Sequence, residues 1–245
     1  TNTHLANLDC KTIVGPDGTP LSGDMAARIL DLAGIVLNRN TIPGDKTALN
    51  ASGIRFGTPW MTQRGLDEND MRTVADIIAD VLQATTPYSV ETRQGPAQRA
   101  KVDFGVLEDA KLRVRALAEK AGADITVGKH GYPHFFYIDD QPSKPGEWAF
   151  YDLQGRNVRT FANYVFSSAV EDLQPGQSQP TRLNTPKGSI DGFLTCVMPQ
   201  HFRFSLPAAQ VGLGITWLRD LSDGYVRFDD DPTRRLPGPI LVTES

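Results

Sequence analysis

Ser52-Gly53-Ile54-Arg55-Phe56-Gly57-Thr58-Pro59 is the stretch on which the reading of this chain turns. Arg55 has a glycine two residues to either side. Glycine lets the backbone turn sharply or come close to a ligand where a Cβ would not fit. Arginine presents a planar fork of donors that grips a carboxylate through two parallel, charge-assisted hydrogen bonds. The pattern therefore reads as a cation set against close backbone, suited to an acidic ligand. Taken alone, an arginine is more often one half of a surface ion pair.

The sequence around this stretch reads as a compact α/β unit over the first 85 residues. Thr3 to Val14 is strand-like and is broken by the turn Gly15-Pro16-Asp17-Gly18. Ser22 is placed to cap a helix whose apolar residues are Met25, Ile29, Leu32 and Ala33, and Gly34 can end it. A polar loop covers Asn38 to Ser52. Asp67 and Asp70 are spaced to open a second helix, with Leu66 and Met71 as a hydrophobic staple. Met71, Val74, Ala75, Ile78, Val81 and Leu82 form its apolar face.

Residues 84–100, rich in Thr, Pro and Gly, read as a linker. A third helix is expected from Val106 to Ala121, apolar along Leu107, Ala110, Val114, Leu117, Ala118 and Ala121, with a charged, solvated opposite face. From about Gly128 the texture turns to β. Trp148–Leu153, Gly192–Val197 and His201–Leu206 are strand candidates, and Val158–Val165 is a short helix. Phe202, Phe204 and Leu206 alternate with polar residues, as a half-buried strand requires. Two units are expected, at 1–122 and 123–245.

The bulk numbers are consistent with this. The chain has 245 residues, 40% hydrophobic and 22% charged, enough to bury a core in one or two domains. A formal charge of −4 disfavours a nucleic-acid binder. No run of about 18 apolar residues is present, so no membrane helix is expected. Cys10 and Cys196 are far apart and suggest no disulfide framework, which points to a reducing, cytoplasmic setting. The start at Thr1 suggests a piece of a longer polypeptide.

Several motifs in order carry a family resemblance. Thr1-Asn2-Thr3-His4-Leu5 with Leu8-Asp9, Ala33-Gly34-Ile35, Asn38-Arg39-Asn40-Thr41-Ile42-Pro43, the Arg55 stretch, Thr62, Arg64-Gly65 and Asp70-Met71 together make residues 1–85 similar to the C-terminal small domain of serine hydroxymethyltransferase. That family consists of fold-type-I pyridoxal-phosphate enzymes that move the hydroxymethyl carbon of serine to tetrahydrofolate. The resemblance implies that Arg55 binds the α-carboxylate of serine or glycine and that Asn40 contacts the folate ring. It also implies a homodimer or tetramer. An amide, with donors and an acceptor, suits such a heterocycle. The family's Schiff-base lysine belongs to an upstream domain, and Leu5 stands where Thr1-Asn2-Thr3-His4 would need it. This chain alone is expected to be inactive.

The second half resembles the glycine-cleavage T-protein, an aminomethyltransferase. The similarity is carried by Phe161 to Val170, Leu173-Gln174-Pro175-Gly176-Gln177, Thr181, Asn184, Lys187-Gly188-Ser189-Ile190-Asp191 and Phe202 to Leu206. The implied fold is thus α/β followed by a partial, β-rich, folate-binding α+β domain. Asp191 is the candidate folate-binding and catalytic carboxylate, although the family's acidic pair is reduced here to Asp191-Gly192 and its Asn-Asp is replaced by Ser168-Ala169. A turn aspartate is the plain alternative for Asp191. No metal site is expected: Pro133 separates His130 from His134, and Asp229-Asp230-Asp231 lacks the rest of a calcium loop. The leading reading is the C-terminal part of a fused hydroxymethyltransferase. The alternatives are a non-catalytic folate-binding module and a tetrahydrofolate-dependent aminomethyltransferase.

Overall fold

In the computed structural model, residues 3–93, 95–125 and 136–245 are described. His130 and His134 lie outside them. The chain divides into two units, Thr1–Pro133 with Asp229–Thr233, and His134–Phe228 with Arg234–Ser245.

The first unit is organised on a three-stranded antiparallel sheet. Its strands are β1 (Leu5–Asp9), β2 (Asn38–Asn40) and β3 (Gly53–Gly57), in the order β1-β3-β2. The strand-like stretch predicted to reach Val14 stops at Asp9, because the Asp9 side chain accepts from Lys11 N at 2.9 Å and opens a 3-10 turn over Cys10–Thr12. Helix α1 (Gly23–Leu32) starts as expected, with Ser22 Oγ accepting from Met25 N at 3.3 Å. It ends at Gly34, which sits at φ +90°. Met25, Ala26, Ile29 and Leu30 are buried beside Ile54 of β3, which is fully buried.

A short helix, α2 (Pro59–Gln63), follows β3 and leads to α3 (Glu68–Gln83). Asp67 accepts from Asn69 N and Asp70 N, and Asp70 returns the bond by accepting from Asp67 N at 2.9 Å, a complete capping box. The linker expected over 84–100 is instead a hairpin, β4 (Thr85–Thr92) and β5 (Gly95–Val102). Its prolines and glycine read as chain-breaking, yet Pro87 pairs with Ala100 and Pro96 with Glu91, and Gly95 takes φ +102° at the turn. Tyr88, Ala100 and Val102 are buried from it.

Helix α4 (Phe104–Lys120) is capped by Asp103, which accepts from Val106 N at 3.0 Å. It runs against α3 with two ion pairs, one at its end and one near its middle: Lys120 Nζ is 2.7 Å from Asp70 Oδ1, and Arg113 Nη1 is 2.7 Å from Asp80 Oδ2. Its charged face is not wholly solvated, as the sequence suggested. Glu108 is fully buried with Lys111 Nζ 2.6 Å from its carboxylate. Paired in this way, two charges one turn apart tolerate burial that neither would alone.

The second unit holds an antiparallel sheet of β6 (Trp148–Gln154), β7 (Ser178–Thr185), β8 (Gly188–Met198), β9 (His201–Pro207) and β10 (Leu241–Glu244), in the order β10-β6-β9-β8-β7. The strands β6, β8 and β9 contain the three predicted ones. Phe202, Phe204 and Leu206 are fully buried, each contributing about 1.5–3 kcal/mol. Helix α5 (Val158–Val165) has its predicted bounds, and α6 (Val211–Asp223) was not anticipated. Arg159 of α5 donates from Nη1 to the carbonyls of Val170, Glu171 and Leu173 and lies 5.0 Å over the Phe202 ring. One side chain thereby anchors the Leu-Gln-Pro-Gly turn. Among the described residues, no helix is long and apolar enough to cross a membrane.

Asp67→Ala should cost about 1 kcal/mol in the first turn of α3. The expected outcome is faster amide exchange at Asn69 and Asp70, with exchange in α5 unchanged.

Candidate functional site

The register of the small sheet decides which side chains meet. Arg55 lies opposite Asn7 of β1 and opposite Asn38 of β2. One row along, Gly53 lies between Asp9 and Asn40. Residues two apart on a strand share a face, so Arg55 and Asn40 stand on the same side of the sheet. Ile54 points the other way, toward α1, and so does Arg39, whose Nη1 donates to Asp24 Oδ1 at 3.1 Å. The open face carries Asn7, Asn38, Asn40 and Arg55 between two glycines.

Arg55 is exposed, and among the described residues its guanidinium has no hydrogen bond or ion pair. Asn40 is half-buried and donates from Nδ2 to Thr41 O at 2.7 Å, which leaves its Oδ1 without a described partner. The loop after β2 walls the site. Asp45 accepts from Ile42 N at 3.0 Å, from Ser52 N at 2.9 Å and from Ser52 Oγ at 2.5 Å. Its side chain is only 4% exposed, with Lys11 Nζ 3.8 Å away. The Ser52 hydroxyl, and then the two amides, hold its carboxyl down at about 2. The pinned loop lays Ile42 across Gly53, where a Cβ would come within 2.5 Å of Ile42 Cγ2.

Residues 2–78 match the family model of serine hydroxymethyltransferase. The match runs from β1 through most of α3 and includes the whole Arg55 face. A serine hydroxymethyltransferase of Natronomonas pharaonis is 40% identical over 121 residues, 49% of this chain and 24% of the relative. A chloroplastic serine hydroxymethyltransferase of Arabidopsis thaliana is 44% identical over 124 residues, 49% of this chain and 22% of the relative. A mitochondrial one of Schizosaccharomyces pombe is 45% identical over 85 residues, 35% of this chain and 16% of the relative. The chain thus contains a serine hydroxymethyltransferase segment and spans under a quarter of the length of these relatives.

Pyridoxal phosphate, the cofactor this similarity implies, needs a lysine for its Schiff base. None of the three strands contains one. Lys11, just beyond β1, lies between Asp9 and Asp45. The open face therefore fits a carboxylate but not the covalent anchor of the cofactor.

In the second unit Asp191 is on β8 and not in a turn. It lies opposite Arg182 of β7 and accepts from Arg182 Nε at 2.7 Å, which lowers its pKa. Gly192 faces inward, and a Cβ there would come within 2.3 Å of Ser205 O and 2.8 Å of the Phe204 ring. Sequence reasoning missed a second carboxylate, Asp152 of β6. Burial pushes its pKa up, but the two hydrogen bonds from Arg203, with the His201 ring close by, outweigh this and bring it to about 2. Arg203 Nε is 2.8 Å and His201 Nε2 is 3.1 Å from its Oδ1. Only the β6–β9 register, which sets Asp152 opposite Arg203, brings them together. Among the described residues no three His, Cys, Asp or Glu side chains are grouped to hold a metal.

The depressed pKa of Asp45 carries a pH prediction. A carboxyl at about 2 in the folded chain and about 3.9 when unfolded adds stability above the higher value and loses it as pH falls through the lower. Amide exchange at Ile42 and Ser52 should therefore accelerate between about pH 4 and pH 2, and Asp45→Asn should show fast exchange at neutral pH.

Proposed function

We propose that residues 1–122 supply the carboxylate-binding side of a serine hydroxymethyltransferase active site, in a longer protein that provides pyridoxal phosphate and its lysine. The observation that carries this reading is the Arg55 guanidinium, without a hydrogen bond or ion pair among the described residues, on an open sheet face one row from Asn40 and inside the matched segment. Arg55 takes the α-carboxylate of serine or glycine through its paired donors, which fixes orientation as well as charge. Asn40 offers its free Oδ1, and the remaining hydrogen of Nδ2, to the edge of tetrahydrofolate. The loop pinned by Asp45 lays Ile42 over one end of this face.

In the complete protein, Arg55→Ala should raise KM for serine by roughly 10- to 100-fold, the value of hydrogen bonds to a charged group. Steady-state kinetics with serine and tetrahydrofolate are the test, and an unchanged KM overturns the assignment.

For residues 123–245 we propose a T-protein-like scaffold that does not transfer an aminomethyl group. Two observations favour this over the catalytic alternative. Asp191 is committed to Arg182, and Gly192 occupies the place of the family's second carboxylate with no room for one. Asp191→Ala should accordingly leave the affinity of the chain for 5-formyltetrahydrofolate within about twofold, since exposed ion pairs are worth little. A loss of tenfold or more in a fluorescence titration would return Asp191 to the folate site.

A further inference from the structure

The apolar faces of α3 and α4 are only partly used by the core. Ile77, Ile78, Val81 and Leu82 of α3 and Leu107 and Ala110 of α4 are buried. Further along, Met71, Val74 and Val114 are half-exposed and Ala75 is exposed. These residues face a cavity of about 520 Å³ between the two helices, Ile35–Leu37 and the end of β3. That volume is in the range of small-molecule sites, as is the character of the lining.

The wall includes one charged side chain, Arg64, just after α2. Arg64 is exposed, and among the described residues its guanidinium makes no hydrogen bond or ion pair. The acids that follow it in sequence are Asp67, whose carboxylate is spent on the first turn of α3, then Glu68, and Asp70, which is held by Lys120. Glu68 lines a shallower depression beside Thr62 and does not line this cavity. An apolar chamber with a single uncompensated cation at its wall calls for an apolar body that ends in one negative charge.

We propose that this cavity binds a monocarboxylate with an unbranched apolar tail of about eight to ten carbons, the carboxylate on Arg64 and the tail between Val74, Ala75, Val114 and Leu117. The site is separate from the Arg55 face and does not depend on the activity proposed for it. Apolar burial supplies most of the affinity, and Arg64 selects the head group.

The test uses the whole 245-residue chain, with decanoate and decanol as probes in isothermal titration. The expected result is saturable binding of one decanoate, about tenfold tighter than decanol. Arg64→Gln, an exposed change that leaves the fold intact, should remove this difference by weakening decanoate about tenfold and sparing decanol. Ala75→Trp, checked for an unchanged thermal midpoint, should abolish both by filling the chamber. Three results would each overturn the proposal. They are no saturable binding of decanoate, equal affinity for the two probes in the unmodified chain, and binding that survives Ala75→Trp in a folded protein.

Discussion

Gly53 is the point at which the first unit closes on itself. A Cβ at this residue would lie 3.1 Å from Leu8 O on one side, 3.1 Å from Asn40 O on the other and 2.5 Å from the Ile42 methyl above. Its carbonyl meets the first residue of α1, where a Cβ on Gly23 would come within 2.2 Å. Two glycines thus let a helix start against the middle strand of a sheet while a loop crosses the other face. Real Cβ atoms do not tolerate such distances, so a larger residue at either position would have to push backbone apart. The direction of Arg55 is inherited from this junction, because strand alternation ties it to the face on which Ile42 and Gly53 meet.

Some of this was legible in the sequence and some was not, for identifiable reasons. Caps are local, so Ser22, Asp67 and Asp70 could be read from spacing alone, and so could the alternation of Phe202, Phe204 and Leu206. The hairpin at Thr85–Val102 could not, because Pro87, Gly95 and Pro96 signal a break and only pairing with the other strand makes them a ladder. Strand β7 is mostly polar and buries little beyond Thr181 and Leu183. Helix α6 was hidden by Gly212 and Gly214, poor helix formers. They are there because a Cβ would come within 2.4 Å of Ile138 O at the first and 2.9 Å of the Leu206 side chain at the second. Arg55 and Asn40 were legible as residue types, but their common face follows from β-sheet register, which no single strand encodes.

The same alternation separates Asp191 from Gly192 in the second unit. Adjacent residues on β8 face opposite sides of the sheet, so the two positions answer to different demands. Asp191 faces outward and meets Arg182 across the strand gap. Gly192 faces inward against the Ser205 carbonyl and the Phe204 ring, in a core that leaves no volume for a carboxylate. The glycine is therefore coupled to Phe204. An acid at 192 would meet the Ser205 carbonyl as well as the Phe204 ring and would need a partner for a buried charge, at a cost that the sheet alone does not offset.

The distribution of charge supports the reading of Arg55 more than its exposure does. Arg28 and Arg39 share Asp24, Arg113 takes Asp80, Arg182 takes Asp191 and Arg203 takes Asp152. Arg39 and Arg55 sit on neighbouring strands, and the sheet sends them to opposite faces. The face toward α1 has Asp24 for Arg39. The face of Arg55 also has acids within its loops, but Asp9 is turned to the Lys11 amide and side chain, and Asp45 is filled by Ile42, Ser52 and Lys11. A carboxylate that already accepts several short hydrogen bonds, as Asp45 does, gains little from a further guanidinium. The local folding of these two acids is what keeps them from Arg55, and a cation left without a partner among the described residues can be satisfied by a carboxylate from outside them.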